Sequence, residues 1–105
     1  MQCWRFVIPG PLRGHVCSVA SRRGLSKWQA YVRLLANSAG VPAECPAGVH
    51  VDVAVMWRRK ARIDVENVGK VIVDSLWARD RGVRSLTYQS TEHGPSEGAA
   101  VQIRI

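Results

Sequence analysis

The sequence predicts a single α+β domain with a small mixed sheet of about four strands packed on two helices, in the order β-α-β-α-β-β. Three observations predict it. Val49, Val51, Val53, Val55 and Trp57 alternate strictly, the period of a half-buried strand. Two segments, 28–39 and 65–76, carry apolar residues at helical spacing. With 105 residues and 47% hydrophobic content, the chain suits one domain with a modest core and is too apolar for disorder.

The elements follow in order. Cys3 to Ile8 alternates, with Trp4, Phe6 and Ile8 on one face, and reads as a strand that Pro9-Gly10-Pro11 ends. Residues 10–25 carry glycine and arginine with weak periodicity and read as a loop, with a short hairpin as the alternative. Its Arg13, Arg22 and Arg23 suit phosphate, although exposed arginines are more commonly only solvated. Ser26-Lys27-Trp28-Gln29 has the form of a capping box, so a helix is expected from Ser26 to about Ala39. Trp28, Val32, Leu35 and Ala39 form its apolar stripe, and Gly40 and Pro42 stop it. Trp28 and Tyr31 could stack on bases, but core packing is the commoner use.

The Val49–Trp57 strand carries His50, Asp52, Ala54 and Met56 on its second face, where a solvated His50 and Asp52 are the ordinary expectation. Asp64 is a good N-cap for a helix to about Leu76. Its buried stripe is Val65, Val68, Ile72 and Leu76; its polar stripe is Glu66, Asn67, Lys70 and Asp74. Val83 to Gln89 reads as a strand, 90–98 as a loop with Gly94, Pro95 and Gly98, and Ala99 to Ile105 as the last strand.

Charge narrows the function. Fifteen Lys+Arg against eight Asp+Glu give +7, which favours an anionic partner, most simply nucleic acid. Cys3, Cys17 and Cys45 are odd in number and lack metal-ligand spacing, so free thiols in a reducing cytoplasm are expected. No signal-peptide core and no apolar run of spanning length is present, so no membrane partner is expected.

The chemistry concentrates between residues 58 and 80. The basic residues Arg58, Arg59, Lys60 and Arg62 run directly into Asp64, Glu66, Asn67, Lys70 and Asp74, and Asp80 follows. Each has an ordinary account. Acids are favoured at a helix N-terminus, and Glu66 with Lys70 is a favourable i,i+4 pair. Together they suggest more. Magnesium takes oxygen ligands and keeps several waters, so two or three carboxylates hold it. Such an ion activates water and stabilises charge as a phosphodiester is cut, and a lysine can stabilise the oxyanion or leaving group.

The pattern Arg-x-Asp-x-[Asp/Glu]-Asn-x-x-Lys-x-x-x-Asp-x-Leu, followed by an acid before a strand, resembles the RusA-type Holliday-junction resolvases. The resemblance covers most of the chain, including the strand ending Ile8-Pro9-Gly10, the Trp28–Ala39 helix and the strand before the basic run. It implies a RusA-like fold and a homodimeric endodeoxyribonuclease of phage or prophage type that resolves four-way DNA junctions by paired incisions. It further implies Mg²⁺ or Mn²⁺ on Asp64, Glu66 and Asp80, with Lys70 as the assisting cation. Asn67 and Asp74 would support, and Arg58, Arg59, Lys60 and Arg62 would lie near the DNA backbone.

Three departures stand out. Glu66 replaces the family's usual aspartate, Arg79 replaces one of two paired acids before the third strand, and a few residues after the helix are missing. A helix from Asp64 to Leu76 is roughly 18 Å long, whereas four residues span at most about 14 Å. Three outcomes remain open: the helix ends early, a partner subunit supplies Asp80, or the site is incomplete. The alternative function is therefore a catalytically weakened or inactive RusA-like DNA-binding module.

Overall fold

The computed structural model describes residues 2–10, 22–57, 65–92 and 97–105, with the backbone alone at 22–25, 57, 65, 91 and 92. The elements are β1 (Cys3–Pro9), α1 (Arg22–Ser38), β2 (Val49–Trp57), α2 (Val65–Leu76), β3 (Val83–Glu92) and β4 (Gly98–Arg104). This is the expected α+β class, with the expected order and a four-stranded mixed sheet.

The strands lie in the order β1-β4-β2-β3. β4 pairs antiparallel with both β1 and β2, while β2 and β3 are parallel. A parallel pair needs a crossover, and α2 is that crossover. Both helices pack on one face of the sheet and against each other. The core between them holds Phe6, Ile8, the four alternating valines of β2, Ala99, Val101 and Ile103 from the sheet. Trp28, Val32 and Ala36 of α1 and Val68, Ile72, Val73 and Leu76 of α2 close it from the other side.

Local differences from the sequence reading have physical causes. Helix α1 begins at Arg22, so Ser26 is not its N-cap but an exposed residue one turn inside it. Arginine and leucine are good helix formers, and their propensity extends the helix past the short capping signature. Arg22 and Arg23 accordingly belong to a helix rather than a loop. Ala36 is fully buried while Leu35 and Ala39 are partly so, because α1 meets both the sheet and α2 and buries a wider arc. Gly40, at φ +87°, ends the helix as expected, a conformation that costs glycine little.

Strand β3 runs to Glu92 rather than Gln89, drawn on by pairing with β2 along its whole length. Strand β4 spans Gly98–Arg104, so the loop expected over 90–98 is shorter. The expected N-cap Asp64 and the expected loop residues 93–96 lie outside the described residues, as does the side chain of Val65.

Candidate nucleic-acid interface and acid cluster

Helix α2 positions the functional candidates because its apolar residues commit one side to the core. Val68, Ile72, Val73 and Leu76 are buried, as is Gly69, so Glu66, Asn67, Lys70 and Asp74 face solvent. Lys70 Nζ lies 3.0 Å from Glu66 Oε1, with both side chains more than half exposed. Such a pair contributes only a few tenths of a kcal/mol. Asp74 stands one further turn along, so Lys70 has an acid four residues away on either side.

Asp80 is held elsewhere. Trp77 N–H donates to Val73 O at 3.2 Å, and its indole N–H donates to Pro42 O at 3.0 Å. Asp80 O then accepts Val83 N–H at 2.9 Å, and Gly82 O accepts Val49 N–H at 2.9 Å. These bonds fix the chain after α2 at the start of β3. Glu66 lies in the first turn of α2, ten residues before its end, a rise of roughly 15 Å. Asp80 instead neighbours Cys45. Burial pushes that thiol up, a backbone hydrogen bond at Gly82 opposes the shift, and the Asp80 charge adds to it.

The described acids of the chain therefore do not gather into a divalent-ion centre by themselves. Among the described residues, no three His, Cys, Asp or Glu side chains gather closely enough to hold a metal. Asp64, Arg13, Arg58, Arg59, Lys60 and Arg62 lie outside the described residues, and the side chains of Arg22 and Arg23 do also. Of the predicted site, the structure brings together Glu66, Asn67, Lys70 and Asp74 on one helix face and sets Asp80 apart.

A second polar cluster escaped the sequence reading. It occupies the sheet face opposite the helices, which no described element covers. Cross-strand register lines up Arg5, Gln102, Asp52 and Thr87 in one row, with Cys3, Arg104, His50 and Ser85 in the next. The Thr87 hydroxyl donates to Asp52 Oδ1, and Arg104 Nε donates to Oδ2 at 3.2 Å. His50 Nδ1 and Ser85 Oγ are 2.6 Å apart. The Asp52 carboxyl is held below its ordinary range, chiefly by the Thr87 hydroxyl. Partial burial works the other way, and Arg104 and His50 add to the lowering. Ala54 and Ala100 floor a groove of about 650 Å³ beside this row. Alternation in β2 put His50 and Asp52 on one face, but their partners come from β3 and β4, which sequence spacing does not pair.

No helix among the described residues is long and apolar enough to cross a membrane. Among known proteins, no family model matches the chain and no curated protein matches it. One solved structure with a similar backbone is CetZ1 from Haloferax volcanii, a GDP-bound monomer. It is 11% identical, with a TM-score of 0.45 over 96% of this chain, and this chain spans 28% of that one's length.

Proposed function

We propose that the protein is a Mg²⁺- or Mn²⁺-dependent endodeoxyribonuclease of the RusA type that acts on branched DNA, resolving four-way junctions by paired incisions in the cytoplasm. One observation carries this reading. The exposed face of α2 gathers Glu66, Asn67, Lys70 and Asp74, and the run Arg58-Arg59-Lys60-Ala61-Arg62 precedes this helix in a chain of net charge +7. Cations hold a DNA backbone and carboxylates hold a metal beside it. Because Asp80 and Glu66 belong to opposite ends of α2, the reading requires two subunits, with Asp80 of the partner subunit completing the acid set.

A second reading is favoured by that same separation and by the engagement of Glu66 with Lys70. The domain then binds branched DNA without cutting it. One assay separates the two: a labelled four-way junction with and without Mg²⁺ or Mn²⁺, beside a linear duplex of matched sequence. Metal-dependent paired nicks confined to the junction support the nuclease. Salt-sensitive junction binding with no nick in either metal supports the binding module. In the nuclease, Asp64→Asn is expected to keep junction binding and lose cutting; persistent cutting removes the proposed acid site.

A further inference from the structure

The face of the sheet turned away from the helices has a pit at its centre. Ala54 of β2 and Ala100 of β4 are register partners on the two middle strands, and both are half-buried on this open face. Their row continues to Val7 on β1 and Gln89 on β3. Neighbouring strands lie about 4.8 Å apart, so Val7 and Gln89 stand three spacings, roughly 14 Å, from each other with only two methyl groups between them. The adjoining row, Arg5, Gln102, Asp52 and Thr87, forms a third wall. The cavity measures about 650 Å³, within the usual range for a small-molecule site.

The walls select among ligands. Asp52 is the one acid on this face among the described residues, and Thr87 and Arg104 occupy both of its oxygens. Arg5 lines the pit, is exposed and takes no ion pair among the described residues. With the Asp52 charge answered by Arg104, the pit keeps one unanswered cation and favours an anion. Gln89 and Gln102 add side-chain amides, each offering donors and an acceptor. The floor is flat and apolar, so it accepts the face of a planar ring while the amides meet the ring's edge. A flat ring whose edge carries both donors and acceptors, joined to an anionic group, is a nucleotide.

We propose that this pit binds a single nucleotide unit. The base lies on Ala54 and Ala100, its edge meets Gln89 and Gln102, and its phosphate meets Arg5. Arg5 and Gln89 stand at opposite corners of the two rows, which separates the phosphate from the base edge along the diagonal. The helices cover the other face of the sheet, so this site is separate from the acid face of α2, and it rests on the sheet alone. A free mononucleotide and an unpaired nucleotide within a DNA strand offer the same chemistry.

Amide NMR spectra of the isotope-labelled full chain test the site with neither metal nor junction present. Deoxynucleoside monophosphates are expected to shift the Ala54, Ala100 and Gln102 amides with a dissociation constant below about 1 mM. Arg5→Gln should weaken the monophosphates about tenfold and leave uncharged deoxynucleosides unaffected. Ala100→Leu fills the floor and should remove the shifts for both. Far-UV circular dichroism confirms that each variant is folded, and Arg5→Gln, at an exposed position of an edge strand, keeps the test open if the leucine variant does not fold. A short single strand that moves the same amides at lower concentration than the monophosphate supports the site and makes a DNA strand its source. A monophosphate that moves them where the strand does not supports the site and makes free nucleotide its source. Unmoved Ala54 and Ala100 amides with both ligands overturn the inference. So do shifts that inorganic phosphate alone reproduces, and so do shifts that folded Arg5→Gln and Ala100→Leu chains retain in full. A chain that nicks junctions with a silent pit loses this site alone, and one that binds nucleotide here and never nicks loses only the nuclease.

Discussion

Trp28 and Trp77 are buried to nearly the same depth, 5% and 3% exposed, yet their indole N–H groups differ in fate. Trp77 donates to Pro42 O, whereas Trp28 Nε1 is buried with no acceptor among the described residues. A buried donor without a partner carries its full desolvation cost, and removing it recovers part of that cost. Trp28→Phe is therefore expected to destabilise less than Trp77→Phe, by about 1–2 kcal/mol. Urea unfolding of both variants checks this, and an equal or reversed ranking would show that ring packing dominates. Asp52 gives a second prediction, in pH. Its folded pKa lies below the ordinary 3.8, so it contributes stability above that value, lost as pH falls through the folded pKa. The Thr87 hydroxyl is the main cause. Thr87→Val should thus cost about 0.5–1 kcal/mol at neutral pH, at the low end because water screens the site. The difference from wild type should close in acid well below 3.8, where the carboxyl is neutral in both chains. A difference that persists there would assign the effect to packing instead.

At the level of elements, Gly69 shows what helix α2 gives up to approach the sheet. A Cβ built at Gly69 would stand 3.4 Å from Tyr88 Cδ1, an ordinary contact, so alanine fits where larger side chains would displace the ring. Gly69→Ala should therefore add up to about 1 kcal/mol through helix propensity. That gain raises the melting temperature by roughly 4–8 °C in a domain of this size. Gly69→Leu should lower it, and a loss with alanine would mean that Tyr88 has no room to give. The elements themselves were largely legible. Strict alternation fixed β2, whose four valines are all buried, and the apolar stripe fixed α2 to its last residue. The start of α1 was not legible, because Ser26-x-x-Gln29 imitates a cap that the preceding residues outvote. The far end of β3 was not legible either, because pairing with β2 extends a segment whose own composition reads as a turn. Cross-strand partners such as Thr87 and Arg104 around Asp52 depend on register between distant segments, and no local pattern contains it.

For the whole molecule, the decisive fact is how the parallel β2-α2-β3 unit distributes the acids. Their spacing already put the reach of Asp80 in question, since a helix to Leu76 rises farther than the four residues after it can return, and left open an early helix end, an acid from a partner subunit or an incomplete site. The structure puts Glu66 and Asp80 at opposite ends of that helix. If Asp80 acts in the partner's site, each site takes Glu66 from one chain and Asp80 from the other. Glu66→Gln and Asp80→Asn are then each expected to abolish junction cutting alone. Mixed after dissociation and reassociation, they form heterodimers in which one site carries both substitutions and the other carries neither. About half the dimers in an equal mixture are mixed, so nicking should return to roughly a quarter of the wild-type rate. The recovered product should be a nick in one strand rather than paired incisions, because each mixed dimer has one intact site. An acid set contained within one chain predicts no recovery at any ratio, since every chain then carries a broken site. Labelled-junction assays across mixing ratios separate the two, and recovery that peaks at equal proportions would place Glu66 and Asp80 of different subunits in one site.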